Sequence, residues 1–263
     1  MEFTKIAGKG NELTLELSGV SLAQANTLRR LMMNEVPVLA VEVLEFKKNS
    51  SVLYDEMLAL RIGLVPLATD LESYSLPTDE EIKTGEYSAK SSVKAALSAR
   101  GPCVVYARDL KFKDPKVKPV YPDTPLVKLL ENQEIELTAT AVLGLGREHA
   151  KWSPGLVYYR QKPVITIGEA DPKEVLKNLK GLSLDAISEK GGKLVVDEKK
   201  LSLADAPDAY EDVHRAIKVG YSDDTFIFVV ESWGQLTPME IINAALGRMQ
   251  EYIKEFDKLV KAL

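Results

Sequence analysis

The sequence predicts an α+β fold: antiparallel strands with two long helices, interrupted by a mostly β insert. Three observations carry this. Residues Asn11 to Ser18 alternate, with Leu13, Leu15 and Leu17 on one face and Glu12, Thr14 and Glu16 on the other, the period of a half-exposed strand. Ile242, Ala245, Met249, Tyr252, Phe256, Leu259 and Leu263 follow helical spacing at the end of the chain. Between them, prolines at 77, 102, 115, 119, 122 and 125 break short apolar runs into strands and loops.

Taken in order, Ser21 with Gln24 forms a capping-box pattern ahead of a helix from Leu22 to about Glu35, which stops before Val36-Pro37. A strand follows over Leu39 to Phe46. Leu58 to Ile62 reads as a short helix closed by Gly63. Residues Glu134 to Leu143 alternate again, and Leu156 to Arg160 is a further strand. The more polar stretch from Pro163 to Val213 contains one helical pattern, Lys173–Lys180 before Gly181, and one strand pattern, Lys193–Val196. Thr225–Val230 is β-branched and aromatic on both faces, as in a buried strand.

Thr237, Pro238 and Glu240 supply an N-cap, an N1 proline and a capping-box glutamate for the last helix. A helix of about 25 residues is roughly 37 Å long, whereas a strand of five or six residues spans about 20 Å. The distal residues Tyr252, Phe256, Leu259 and Leu263 are therefore expected to reach a second subunit. Glu251 with Lys254, Glu255 with Lys258 and Asp257 with Lys261 mark a solvated opposite face.

The composition excludes several function classes. Of 263 residues, 45% are apolar and 28% charged, the balance of a globular chain. No run approaches the roughly 18 apolar residues of a membrane span, and the start lacks a signal peptide's apolar block, so a cytoplasmic protein is expected. A net charge of −5 is unlike a protein that holds nucleic acid by itself. The single cysteine, Cys103, rules out an internal disulfide or a four-thiolate metal site, and its Pro-Cys-Val-Val setting suggests burial.

Catalytic signals are absent. There is no P-loop, HExxH, GxSxG or strand-linked GxGxxG, and Gly144-Leu145-Gly146 reads as a turn. Neither His149 nor His214 has a metal-ligand neighbour at typical spacing. The acidic pairs in Asp79-Glu80-Glu81 and Asp223-Asp224 read as solvated loop charge. Lys111, Lys113, Lys116 and Lys118 with nearby aromatics fit either a soluble surface loop or a nucleic-acid contact.

Four motifs, in order, carry a resemblance: Asn26-Thr27-Leu28-Arg29-Arg30, Arg61-Ile62-Gly63-Leu64-Val65-Pro66-Leu67, the segment from Gly146 through His149-Ala150-Lys151-Trp152 to Pro154, and Glu231-Ser232-Trp233-Gly234. Together they resemble the α-like assembly subunits of cellular RNA polymerases, specifically the archaeal D type, a family similar to bacterial α and to the third-largest subunit of eukaryotic polymerase II. The resemblance spans nearly the whole chain.

It implies a discontinuous α-like dimerisation domain (1–48 and 214–263), an insert domain (49–162) and a small ferredoxin-like α+β insert (163–213). It also implies a non-catalytic scaffold that pairs with the small α-like subunit L, recruits subunits N and P, and docks the large catalytic subunits, meeting nucleic acid only through the assembled polymerase. Leu28, Leu31, Met32, Met249, Tyr252, Phe256 and Leu259 then fall near the pairing seam. Arg61, His149, Lys151 and Trp152 fall in motifs turned toward other subunits, although Trp152 and His149 fit a core-packing role equally. Some members hold an iron–sulfur cluster in the small insert, but this stretch has no cysteine, so no cofactor is expected. Val175, Leu179, Ile187 and Val195 are then expected to stabilise it. A bacterial-type homodimer and an enzyme sited in 69–150 remain the alternatives.

Overall fold

Three capping boxes fix where helices begin. In each, a hydroxyl accepts a backbone N–H three residues on while a Gln or Glu side chain returns to the cap residue's own N–H: Ser21 with Gln24, Thr78 with Glu81, and Thr237 with Glu240. The computed structural model describes residues 1–181 and 185–262. The chain starts with β1 (Glu2–Lys9), β2 (Glu12–Ser18), α1 (Leu22–Asn34), β3 (Val38–Asn49) and α2 (Asp55–Gly63). It continues through α3 (Asp79–Thr84), β4 (Ser92–Arg100), β5 (Cys103–Tyr106), β6 (Lys111–Phe112), β7 (Pro125–Leu129) and β8 (Glu134–Gly144). The remainder is β9 (Gly155–Ile167), α4 (Pro172–Gly181), β10 (Ile187–Lys190), β11 (Lys193–Val196), α5 (Glu198–Leu203), β12 (Ile217–Ser232) and α6 (Pro238–Lys261).

These elements form two compact units, Met1–Thr27 with Tyr158–Val229, and Leu28–Val157 with Val230–Leu263. The first is built on the sheet β1-β2-β12-β9, in which β1 and β2 pair antiparallel from Glu2↔Ser18 to Lys9↔Glu12. Leu13, Leu15 and Leu17 are buried as their alternation requires, but Thr14, expected on the outer face, is buried as well. Tyr159 stacks on Phe228 with ring centroids 5.1 Å apart and meets Phe226 edge-on at 5.6 Å, joining neighbouring strands. A satellite core of Val175, Leu179, Ile187, Leu201, Tyr210 and Ile217 closes under α4, α5 and the β10–β11 hairpin.

The second unit is built on the sheet β3-β8-β4-β6. Both neighbours of β8 run antiparallel to it, from Val38↔Gly144 to Asn49↔Ile135 on one side and from Ser92↔Val142 to Arg100↔Glu134 on the other. Its first half therefore alternates, whereas Ala139–Gly144 is buried throughout. Leu58 and Ile62 of α2 enter this core beside Leu39, Val41, Leu97 and Leu137. The ribbon β5–β7 adds Val105, Leu126 and Leu129.

The antiparallel α+β expectation holds, and several details are corrected. Gly63 is the last residue of α2, and Leu64, in a right-handed conformation, is the cap. Asp79, Glu80 and Glu81 open helix α3, where carboxylates suit the helix dipole, and Asp223-Asp224 lie within β12. Cys103 is exposed at the start of β5, where Val105 is the buried residue, although its cross-strand partner Leu129 is buried. Val195 is also exposed: on a two-stranded hairpin only one face meets the core, and Ile187 takes it. Strands β9 and β12 extend well past the predicted stretches. Residues 182–184 and Leu263, which the sequence placed in the small insert and on the final stripe, lie outside the described residues.

Candidate partner interface

Helix α6 changes character along its length. Ile241, Ile242 and Ala245 are buried, and Leu246, Met249 and Tyr252 are half-buried. Beyond them the same stripe emerges: Phe256 is 68% exposed and Leu259 64%, with Ile253 and Val260 at least half exposed beside them, against 3% for Ile242. Exposed apolar side chains clustered on one face, rather than scattered singly, mark an interaction surface. On the polar face Lys261 pairs with Asp257 at 2.6 Å, and Glu251 takes Arg248 as its partner. Leu28, Leu31 and Met32 of α1 are buried within the chain.

The junction of α1 and α6 is polar. The Tyr252 hydroxyl donates to Glu35 Oε2, Arg147 Nη1 lies 3.4 Å from both Glu35 oxygens, and Arg248 Nη2 donates to the Tyr252 oxygen at 3.3 Å. Burial, and then the neighbouring Glu35 carboxylate, pushes the Tyr252 hydroxyl's pKa up. Gly146 allows this approach, since a Cβ there would stand 3.2 Å from Asn34 Cα at the end of α1.

The four residues expected to face other subunits divide. His149 and Lys151 line a groove of about 370 Å³ with Val41, Glu42, Leu60 and Leu64. His149 Nδ1 accepts the Lys151 N–H at 3.1 Å, and Lys151 Nζ donates to the Val41 carbonyl at 3.0 Å and pairs with Glu42. Trp152 is buried beneath, its Nε1–H donating to the Val142 carbonyl at 3.1 Å. Arg61 opens on a separate groove with Val52, Val104 and Leu130, but its guanidinium is committed to the Leu126 and Pro125 carbonyls at 2.8 and 2.7 Å. Sequence reasoning missed the outer face of α2, where Tyr54, Met57, Leu60 and Leu64 are exposed. Their spacing of three, three and four was the available signal.

Elsewhere the polar groups satisfy one another. Asp70 accepts from Lys116 Nζ at 2.6 Å and Ser73 Oγ at 2.8 Å, which holds its carboxyl well below the usual range. Tyr74 donates to Asp114 at 2.7 Å. Burial and then that carboxylate raise the tyrosine's pKa. The Lys116 part of the basic run is thus tied into a network that joins two turns. Among the described residues, no set of three or more His, Cys, Asp or Glu side chains is arranged to hold a metal ion. No described helix is long and apolar enough to cross a membrane.

Comparison with known proteins shows what the chain is similar to. Residues 41–155 match the model of the RNA polymerase Rpb3/RpoA insert domain. The chain is 43% identical to DNA-directed RNA polymerase subunit Rpo3 of Methanothermobacter thermautotrophicus, with 91% of each chain covered. It is 37% identical to the Rpo3 subunit of Methanosarcina acetivorans, covering 92% of this chain and 93% of that one. The Pyrococcus furiosus Rpo3 subunit is 36% identical, with 95% of each covered.

Proposed function

The chain belongs to the archaeal Rpo3 family of DNA-directed RNA polymerase subunits, and from that premise we propose that it is a non-catalytic assembly scaffold whose α6 pairs with the small α-like subunit L. The observation that carries this is the split in α6: its first half is buried in its own chain, while Ile253, Phe256, Leu259 and Val260 continue the same stripe into solvent. Covering that stripe returns roughly 25 cal/mol per Å² of apolar area, less the cost of fixing two chains together.

In this reading Met249 and Tyr252 flank the seam, and Leu28, Leu31 and Met32 form the floor that holds it. Residues 1–48 and 214–263 act as the dimerisation domain, 49–162 as the insert domain and 163–213 as a ferredoxin-like insert. Subunits N and P and the large catalytic subunits dock on the insert domain. There the groove containing His149 and Lys151 and the exposed outer face of α2 are available, while Arg61 and Trp152 stiffen the walls behind. Nucleic acid is met only through the assembled enzyme, in the cytoplasm.

The residues do not fit an iron–sulfur cluster. Such a cluster draws on about four thiolates, whereas the chain has one cysteine, Cys103, exposed on β5 and outside 163–213. Val175, Leu179 and Ile187 fill the small insert's core instead.

The test is Phe256→Asp, measured by light scattering after co-expression with subunit L. A one-to-one complex for the natural chain and none for the variant, with unchanged far-UV dichroism, is expected. A variant that still pairs places the seam elsewhere, and a defined homodimer of the lone chain favours the bacterial-type arrangement.

A further inference from the structure

Glu35 follows the C-terminal end of α1, where the helix dipole disfavours a carboxylate. Its side chain is only 15% exposed, so it needs donors. Two side chains from two other segments reach it, and a third braces one of them. Arg147 reaches both of its oxygens and fastens its own backbone to α1, its N–H donating to the Asn34 carbonyl at 3.2 Å. Tyr252 donates its hydroxyl proton. Arg248, one turn earlier on α6, lies over the Tyr252 ring at 5.1 Å and donates to its oxygen, while its Nε is buried without a partner. The ring contact and the hydrogen bond to Tyr252, with Glu251 on its other nitrogen, hold the guanidinium in place.

The position of this cluster matters. Tyr252 is the last half-buried residue of α6, and the described residues after it are exposed. A helical end of some two turns frays in water unless it is anchored at its base. We infer that Glu35 and Tyr252, braced by Arg147 and Arg248, are positioning residues that hold the exposed end of α6 in its partner-ready direction before a partner arrives. The inference rests on α6 being the pairing seam. The clamp lowers the ordering cost of association, so its loss shows as weaker pairing together with faster amide exchange of the distal helix in the chain alone.

Tyr252→Phe, Glu35→Gln and the double variant, made in the full chain, test this. Amide exchange of residues 253–261 is followed in the chain alone, and affinity for subunit L is measured separately. Tyr252→Phe is expected to raise exchange in that segment and to weaken pairing by about tenfold, the worth of one charge-assisted hydrogen bond. Glu35→Gln, which keeps an acceptor, is expected to fall between, and the double variant to be no worse than Tyr252→Phe. Unchanged exchange, or effects that multiply in the double variant, overturns the clamp. Unchanged pairing in Tyr252→Phe, where Phe256→Asp abolishes it, also overturns the positioning role. If Phe256→Asp too pairs normally, the seam itself is misplaced, and the exchange data judge the clamp alone.

Discussion

The indole of Trp152 lies directly over Gly144: a Cβ built on that glycine would meet Trp152 Nε1 at 2.8 Å. The contact closes the end of β8, and the Trp152 Nε1–H reaches the Val142 carbonyl two residues earlier on the same strand. Lys151 Nζ stands 4.4 Å from the ring centroid on the indole's face while bound to Val41. Of the two roles that the sequence allowed for Trp152, packing is the one this geometry displays.

Gly144→Ala is therefore expected to displace the indole and cost about 1–3 kcal/mol, the usual penalty for overfilling a packed site. Chemical denaturation followed by tryptophan emission reads both effects. A variant of natural stability and unshifted emission would mean that the ring swings aside freely.

Arg61 presents a different case, since an exposed arginine in a family motif invites a docking role. Its fork instead joins α2 to β7 through two carbonyls. Arg61→Lys keeps the charge but not the paired geometry. It should cost about 1 kcal/mol of stability in the isolated chain, read from the denaturation midpoint. If the lysine variant is as stable as the natural chain and only assembly suffers, the guanidinium serves a partner after all.

How much of this was legible from sequence follows from where each signal lives. The capping residues Ser21 and Thr237 announced α1 and α6 because a cap is a local arrangement, written in four consecutive residues. Thr78 carries the same signal with Glu81, but α3 is one and a half turns long and buries nothing, so no apolar period accompanied it. Cys103 misled because valines beside it suggested burial, whereas in this four-residue strand only Val105 is buried and Cys103 stands at its exposed start. The split in α6 was visible as a stripe too long for its sheet. The Glu35–Tyr252 contact joins residues more than 200 positions apart, a separation local pattern cannot encode.

Acid should expose the hydrogen-bonded carboxylates of the insert. The Thr78 N–H first, then Ser88, hold Glu81 down from its ordinary 4.5 to about 2. Lys116 does the same, more strongly, for Asp70. A depressed folded-state pKa lends stability that is complete above the ordinary value and is lost as pH falls toward the folded one. The stability difference between the natural chain and Glu81→Gln should be constant from pH 7 to about 5 and vanish toward pH 2. A difference independent of pH would assign the effect to the cap's shape and not to its charge.

The two halves of α6 should separate stability from association. Ile242→Ala opens a cavity in the buried half and is expected to cost about 2–4 kcal/mol in the isolated chain. Phe256→Ala removes a larger side chain from a position already in water, and should leave isolated stability within about 0.5 kcal/mol. Pairing should show the reverse order, because truncating an exposed aromatic anchor costs a complex about 2 kcal/mol or more only once a partner covers it. Denaturation of the lone chain and titration with subunit L provide the two readings. If Phe256→Ala destabilises the lone chain as much as Ile242→Ala does, the distal helix folds back on its own unit, and the stripe is core rather than seam.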